Sequence, residues 1–339
     1  MLLLGIETSC DDTAAAVVRD GRAVLSNVST NQDAFHAKYG GIVPEIASRQ
    51  HVALLSAAVE DALERAGTTY EAIDGIAVTR GPGLVGSLVV GVAAAKALAF
   101  ALGKPLYGIN HLHGHIFAAF LDRETVPQYP FLTLLVSGGH SQIVDVRSPT
   151  DLRVIGRTRD DAAGEAYDKT ARLLGLGFPG GPQLDRLARD GNPSAVAFPR
   201  HRAARGAFDM SFSGIKTAVR YYLESPEGKR AAPQDVAASF QAAIVDVLMQ
   251  RVDSAFAAQT YRGVVLSGGV AANSALQSAL VEWGARNSAD VFIPPPKYCT
   301  DNAAMIAAAA EYQGEAVLCD ALTLSADPNV PFSFERSAA

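Results

Sequence analysis

The feature of this sequence that most constrains its fold is an order of predicted elements that occurs twice. Alternating apolar residues predict a meander of three strands, and helical periodicity then predicts a helix, a strand and a second helix. In the first third of the chain these elements are strands 2–7, 13–19 and 22–29, helix 44–66, strand 73–79 and a helix that ends near Leu102. In the remainder they are strands 131–136, 141–147 and 152–156, helical stretches, and a strand at 263–266 that leads into a helix.

The repeat predicts an α/β protein of two duplicated lobes, with a ligand cleft where their glycine-rich turns face each other. The length of 339 residues fits two domains at roughly 150 residues each. We place an N-terminal lobe at 1–128 and a C-terminal lobe at 129–339, with a basic insertion near 198–230. An alanine-rich helix from about residue 301 is a candidate to pack back onto the first lobe.

The net charge of −6 argues against a chain that wraps polynucleotide by bulk charge alone, but it leaves room for a local basic patch. Residues 198–230 supply such a patch, because this segment contains seven Lys and Arg residues and only three acidic residues. The aromatic residues interleaved with them suit RNA stacking, and a solvated loop with inward aromatics is the alternative. The cations are Arg200, Arg202, Arg205, Lys216, Arg220, Lys229 and Arg230, and the aromatics are Phe198, Phe208, Phe212, Tyr221 and Tyr222.

Cysteine usage and hydropathy favour a soluble protein of a reducing compartment. Cys10, Cys299 and Cys319 are too few for a disulfide framework and form no CxxC pair. The apolar run 84–102 is rich in Gly and Ala and carries Lys96 near its centre, so it predicts a buried helix rather than a membrane span. No targeting segment is visible at the N-terminus, so we expect a cytoplasmic protein with no membrane contact.

Three of the seven histidines fall within residues 111–115. His111 and His115 are four residues apart, so on a helix their rings share a face and can present two imidazole nitrogens to one cation. Leu112 stands where the HExxH metallopeptidase motif requires glutamate, which excludes that class. Asp301 is a candidate third ligand. The alternatives are histidines that cap or pack at a helix start, and an Asp301 that caps the following helix.

Three glycine-rich turns at 137–140, 178–182 and 267–273 could supply convergent backbone N–H groups to a phosphate. A tight turn is the ordinary explanation for any one of them. Two occupy matching positions of the repeat, which favours nucleotide binding. None matches the P-loop or the dinucleotide fingerprint, so both of those sites are disfavoured.

Carboxylates form the remaining candidate groups. Asp11, at the first strand turn, is the best candidate for a general base or a charge-positioning group. Glu165 and Asp168 lie three residues apart on a predicted helix, with Asp161 one turn earlier, and this acidic stripe could order a sugar hydroxyl or repel a wrong anion. A solvated helix N-terminus is the alternative for the first acids of this group.

Taken together, ten segments resemble, in order, the bacterial TsaD family (older names Gcp and YgjD) over nearly the whole chain. They are residues 4–13, 40–45, 81–86, 111–115, 135–140, 161–170, 178–182, 211–214, 267–273 and 299–302. The resemblance implies an ASKHA fold (actin, Hsp70 and sugar kinases) of two duplicated RNase H-like lobes around a nucleotide cleft.

The activity that the resemblance implies is tRNA N6-adenosine threonylcarbamoyl transfer. The threonylcarbamoyl group would pass from threonylcarbamoyl-AMP to the N6 amine of adenosine 37 in tRNAs that read codons beginning with adenine. The glycine turns and Asp11 alone would also fit an ATP-dependent kinase or another carbamoyltransferase of this fold. A non-catalytic scaffold is a third alternative, against which the intact His111, His115 and Asp301 argue.

The resemblance also assigns site residues and partners. His111, His115 and Asp301 would ligate one divalent metal, Fe²⁺ in the usual family description, although Zn²⁺ suits the same ligands. The implied partners are tRNA, a smaller paralogue (TsaB), an ATPase (TsaE) and a TsaC-type enzyme that supplies the adenylate. The residues implied to bind the adenylate are Leu135, Val136, Ser137, Gly138, Gly139, Asp168, Gly181, Asp185 and Asn273.

Overall fold

A computed structural model of the protein describes residues 1–201 and 207–334. The strands are β1 (Leu2–Glu7), β2 (Thr13–Arg19), β3 (Ala23–Thr30), β4 (Gly75–Gly81), β5 (Leu106–Asn110), β6 (Phe131–Val136), β7 (Ser141–Ser148), β8 (Asp151–Arg157), β9 (Gly263–Ser267), β10 (Asp290–Phe292) and β11 (Leu318–Cys319). The α-helices are α1 (Asp33–His36), α2 (Pro44–Ala66), α3 (Val85–Leu102), α4 (His111–Phe117), α5 (Ala163–Leu173), α6 (Gly180–Ala188), α7 (Ser213–Glu224), α8 (Pro233–Ala258), α9 (Ser274–Asn287) and α10 (Ala303–Gln313).

The chain divides into two compact units, each built on one sheet. The first unit comprises residues 1–126, 149–152 and 294–339, and the second comprises 127–148 and 153–293. The first sheet has the order β11-β5-β4-β1-β2-β3 and the second β10-β9-β6-β7-β8. In both sheets, an antiparallel hairpin lies beside two parallel strands. In the first sheet, β1 pairs in parallel with β4, and β4 with β5. In the second sheet, β6 pairs in parallel with β9, and β9 with β10. The repeated order of elements is therefore a repeated topology.

Local sequence signals set the ends of the elements in the first unit. Asp20 and Gly21 both have positive φ and form the tight turn of the β2–β3 hairpin. Helix α2 has Pro44 in its first turn and ends at Gly67, whose φ of 62° closes the helix in the left-handed conformation.

Helix α3 is long and apolar enough to cross a membrane by length and composition alone. One side of it, including Leu88, Val92 and Ala95, is buried in the core of the first unit against β4 and α2. The prediction of a buried helix is confirmed for this side only, because about a third of the helix is buried and Val85, Val89 and Phe100 are more than half exposed.

The alanine-rich helix α10 packs directly on β1 and α4, and small residues make that approach possible. Ala303 and Ala307 are fully buried, and a Cβ added to Gly5 of β1 would lie 2.2 Å from the carbonyl oxygen of Ala303. A Cβ at Gly114 of α4 would lie 2.8 Å from Ile306. The absence of side chains at these glycines therefore fixes the start of α10 against the end of β1.

Replacing Gly5→Ala is expected to lower the free energy of unfolding by about 1–3 kcal/mol, because the new methyl group meets main chain that has no room to move. Urea unfolding measures this change. Gly41→Ala is the matched control, since a Cβ there meets no heavy atom within 4 Å. Equal stability of the two variants would contradict the close-packing account.

Candidate metal centre and glycine-turn site

The carboxyl ends of three parallel strands, β1, β4 and β5, meet at one edge of the first sheet. In sheets of this kind, functional groups gather beyond the carboxyl ends of the strands. Glu7 ends β1, Thr79 lies near the end of β4, and His111 opens α4 directly after β5. The topology thus brings together residues that are far apart in the sequence.

Helix α4 presents the two predicted histidines side by side. Asn110 caps the helix, since its side chain accepts a hydrogen bond from the Leu112 N–H at 2.9 Å. One turn apart, His111 and His115 place their ring centroids 4.7 Å from each other. Their Nε2 atoms lie 3.5 and 3.3 Å from Oδ1 of Asp301. One ligand atom from each of the three residues falls within 4.8 Å of the others.

Asp301 is not the cap of α10. That role belongs to Asn302, whose side-chain oxygen accepts a hydrogen bond from the Met305 N–H at 3.0 Å. The capping alternative for Asp301 is therefore wrong. The Asp301 carboxylate instead stands one residue before this cap and faces both histidines.

The state of His115 tests whether a cation fits this group. Both of its ring nitrogens are buried, and neither has a hydrogen-bond partner among residues 1–201 and 207–334. An unsatisfied buried polar atom costs about 1–3 kcal/mol. A cation held between Nε2 of His115, Nε2 of His111 and Asp301 would satisfy the nitrogen that faces the carboxylate. Two imidazoles and one carboxylate are a donor set that Zn²⁺ and Fe²⁺ accept.

The electrostatics of the site also favour a cation. Burial opposes charging of His111, but Asp301 and Glu7 outweigh it and raise the pKa of His111 to about 9. Burial and the neighbouring Asp301 and Asp11 raise the pKa of Asp12 to about 8. Several carboxylates thus crowd one edge of the sheet, and positive charge placed there relieves their mutual repulsion.

Glu7 supports His111 from behind, a role that the sequence did not reveal. Its Oε2 lies 3.0 Å from Nδ1 of His111 and accepts a hydrogen bond from Oγ1 of Thr79 at 2.6 Å. Its other oxygen accepts the N–H of Ser9, and Ser9 Oγ lies 3.1 Å from the same Nδ1. A carboxylate on the far nitrogen fixes the ring and makes the near nitrogen a better ligand. Glu7 and His111 are 104 positions apart, so only the strand order could have paired them.

Asp11 lies in the loop between β1 and β2 of the same unit and is partly buried. Burial is the main reason that its pKa lies above the ordinary value, and a hydrogen bond with Cys10 opposes that rise. A raised pKa brings a carboxylate closer to the range in which it can take up a proton at neutral pH.

In the second unit, the turns after the parallel strands β6 and β9 lie at one edge of that sheet, because Leu135 is paired with Ser267. Leu135 and Val136 are in β6 with buried side chains, so they can offer only main-chain groups to a ligand. Ser137 begins the turn that follows. A Cβ on Gly138 or Gly139 would meet no heavy atom within 4 Å, so the face of this turn is open.

The remaining predicted residues of this unit are tied together by hydrogen bonds. Asp168 Oδ1 accepts the N–H groups of Gly180 and Gly181 at 3.0 and 3.1 Å and so holds the start of α6. Asp185 Oδ1 accepts a hydrogen bond from Asn273 Nδ2 at 3.1 Å, and the side chain of Asn273 also caps α9. Asp168 and Asn273 therefore each order a helix start as well as standing in the predicted set.

Fewer side chains of the basic segment 198–230 are free to contact RNA than its composition suggests. Arg202 and Arg205 lie outside the described residues. Arg200 pairs with Asp246 and Lys216 with Asp161. Among the predicted aromatics, Phe198 and Phe212 are buried in the core, whereas Phe208 and Tyr222 are partly buried and Tyr221 is exposed. The exposed cations of the segment among residues 1–201 and 207–334 are Arg220, Lys229 and Arg230.

Sequence comparison relates this chain to a known protein family. The family model described as TsaD, tRNA N6-adenosine threonylcarbamoyltransferase, matches residues 23–308. A protein of that name from Symbiobacterium thermophilum is 52% identical over 337 residues, which cover 97% of this chain and 96% of the relative. One from Geobacter sp. is 51% identical over 313 residues, 92% of this chain and 91% of the relative.

Solved structures of low sequence identity share the fold. HypF from T. kodakarensis superposes with a TM-score of 0.62 at 14% identity, covering 93% of this chain and 48% of that one. The component A of (R)-2-hydroxyglutaryl-CoA dehydratase from Acidaminococcus fermentans gives 0.54 at 16% identity, covering 92% and 98%. These likenesses and the two sheets confirm the predicted ASKHA fold class.

Replacing Glu7→Gln is expected to weaken divalent-metal binding by about 10- to 100-fold, because the amide cannot polarise His111 as a carboxylate does. Titration of metal-free protein with Zn²⁺ against a chromogenic chelator measures the affinity. Glu64→Gln, which alters an exposed carboxylate of α2, is the control. Identical affinities for the two variants would show that Glu7 does not support the site.

Proposed function

Because the chain belongs to the TsaD family of tRNA N6-adenosine threonylcarbamoyltransferases, we propose that it carries out the family's reaction at a metal ion held by His111, His115 and Asp301. The protein is a transferase that modifies tRNA by joining a threonylcarbamoyl group to N6 of adenosine 37. The kinase alternative is not favoured by these relatives.

The observation that carries the metal assignment is the environment of the buried His115. Its two ring nitrogens have no hydrogen-bond partner among the described residues. Its Nε2 lies 3.3 Å from Oδ1 of Asp301. Three protein ligands leave coordination positions open for substrate. When bound, the metal supplies a Lewis acid for a carbonyl or phosphoryl oxygen. We take Fe²⁺ as the family's ion, and Zn²⁺ suits the same donors.

The reaction needs little activation beyond positioning, because the donor threonylcarbamoyl-AMP is a mixed anhydride. The N6 amine attacks the carbamoyl carbon, the bond from that carbon to the phosphate oxygen breaks, and AMP leaves with the electron pair. The amine is a weak nucleophile, since its lone pair is delocalised into the purine. Asp11 takes the proton from N6, for which its raised pKa suits it.

The second unit binds the adenylate through main-chain groups of Leu135, Val136, Ser137, Gly138 and Gly139. The open face at Gly138 and Gly139 supports this role, because backbone N–H groups there can approach a phosphate closely. Asp185 and Asn273, already hydrogen-bonded to each other, offer polar groups to the ribose or base. Asp168 of α5 and Gly181 at the start of α6, which are also hydrogen-bonded to each other, offer polar groups as well.

tRNA is the substrate of the family, and its contacts on this chain involve the exposed part of the basic segment. Arg220, Lys229 and Arg230 are exposed, and the Arg220 guanidinium lies 4.9 Å from the ring centre of the exposed Tyr221. Cations beside an exposed aromatic ring suit phosphate contact with base stacking.

The first unit offers a surface for the smaller paralogue, TsaB. Val85, Val89 and Phe100 of α3 and Val52 of α2 are large apolar side chains that are more than half exposed. Apolar side chains gathered on two packed helices are typical of a protein interface. The ATPase TsaE and a TsaC-type enzyme, which supplies the adenylate, complete the proposed cytoplasmic system.

The variants His115→Ala and Asp301→Asn are expected to lose the bound metal and to transfer the threonylcarbamoyl group at least 100-fold more slowly. Removing one strong electrostatic contribution to catalysis typically lowers a rate by about 10²–10³. Elemental analysis and nucleoside mass spectrometry of reacted tRNA measure the two effects. Asp320→Asn, an exposed carboxylate of the same unit, is the control. Retention of both metal and transfer would overturn the metal assignment.

The variant Val89→Asp is expected to weaken association with the paralogue at least tenfold, because it buries a charge in the proposed interface. Val281→Asp is a matched control, since Val89 and Val281 both lie on helices and are 52% and 55% exposed. Analytical ultracentrifugation of the mixed proteins measures association. If Val89→Asp associates as tightly as Val281→Asp does, the partner surface lies elsewhere.

A further inference from the structure

We infer that His51 and Ser87 are positioning residues for Asp11, because both hold the main-chain carbonyl of Cys10, the residue that precedes it. This inference rests on the proposed role of Asp11. Neither His51 nor Ser87 stands among the residues predicted for the site, and both are fully buried.

His51 reaches the loop from α2 and binds it at two points. Its Nε2 lies 3.0 Å from the carbonyl oxygen of Cys10, and its Nδ1 lies 2.8 Å from Oγ1 of Thr13. A carbonyl oxygen can only accept, so Nε2 carries the proton and Nδ1 accepts from the Thr13 hydroxyl. Burial holds the pKa of His51 below its ordinary value, which keeps the ring neutral. One neutral tautomer therefore joins both sides of Asp11.

Ser87 reaches the same oxygen from α3. Its Oγ donates to the Cys10 carbonyl at 3.1 Å, and its own carbonyl oxygen accepts a hydrogen bond from Thr8 Oγ1 at 2.9 Å. The carbonyl of Cys10 thus receives two donors from two different helices, which uses both of its lone pairs. The orientation of the peptide that joins Cys10 to Asp11 is fixed by these two contacts.

The start of α3 holds the preceding peptide in the same way. The N–H of Leu84 donates to the carbonyl oxygen of Ser9 at 2.8 Å. A Cβ on Gly83 would lie 2.4 Å from that oxygen, so the loop and the helix start approach as closely as glycine allows. Two successive carbonyls of the loop are therefore anchored to the helices.

The anchoring matters because Asp11 lies in the loop between β1 and β2, outside the hydrogen-bonded strands of the sheet. A proton acceptor that moves by about 1 Å can lose on the order of 100-fold in rate. His51 and Ser87 supply neutral hydrogen bonds that oppose this movement.

The test compares His51→Phe, His51→Gln and Ser87→Ala in the reconstituted system with preformed threonylcarbamoyl-AMP and tRNA. His51→Phe and Ser87→Ala are expected to lower kcat by about 10- to 100-fold, with KM for the adenylate and the metal content unchanged. His51→Gln is expected to recover most of the rate, because its amide can donate to Cys10 and accept from Thr13. Unchanged kcat, or a glutamine variant no better than phenylalanine, would overturn the inference.

Hydrogen exchange gives a readout that does not depend on catalysis. In His51→Phe and Ser87→Ala, the amides of residues 8–13 are expected to exchange faster while those of β4 and β5 stay as in the wild type. If His51→Phe fails to fold, Ser87→Ala, which removes one hydroxyl group, decides the question. If the wild type transfers nothing from the adenylate, the proposed function fails, whereas unaltered exchange at residues 8–13 refutes the positioning role alone.

Discussion

The structure of the first unit depends on the contact of two carboxylates, the buried Glu7 and the partly buried Asp301, with His111. Glu7 and Asp301 approach this ring from its two nitrogens at 3.0 and 3.5 Å. Charges so placed are costly to bury without compensation. Thr79 and Ser9 satisfy Glu7 with hydrogen bonds, while Asp301 and the two histidines point at one another. The remaining deficit of positive charge is what a divalent cation would supply.

Packing decides whether these charges meet. Asp301 precedes α10, and α10 reaches β1 and α4 only because Gly5 and Gly114 have no side chains. His111 is placed by the capped start of α4, and Asp11 by the hydrogen bonds that α2 and α3 make with its loop. The first unit therefore uses close helix packing to hold acidic residues nearer to one another than their charges favour. The second unit uses a different device, in which Asp168 and Asn273 order the starts of α6 and α9 beside open glycine turns.

Much of the fold was predictable because its signals are local. The predicted helix 44–66 is confirmed to the residue, since Pro44 begins it and Gly67 ends it, and the pairing of His111 with His115 follows from helical spacing. Long-range contacts were not predictable. The strand order β5-β4-β1 places Glu7 beside Nδ1 of His111, and no residue spacing in the sequence predicts this contact. Asn302 rather than Asp301 caps α10 because two polar residues compete for one position, and only the backbone geometry decides between them.

We propose that one divalent cation binds between α4 and the start of α10. The most direct test of this proposal is a crystal structure of the metal-loaded protein with anomalous diffraction collected at the absorption edge of the ion. We expect one anomalous peak bonded to Nε2 of His111, Nε2 of His115 and a carboxylate oxygen of Asp301 at about 2.0–2.2 Å. A peak held by Asp11 and Asp12 instead, or the lack of any peak beside His115 in fully loaded protein, would contradict it.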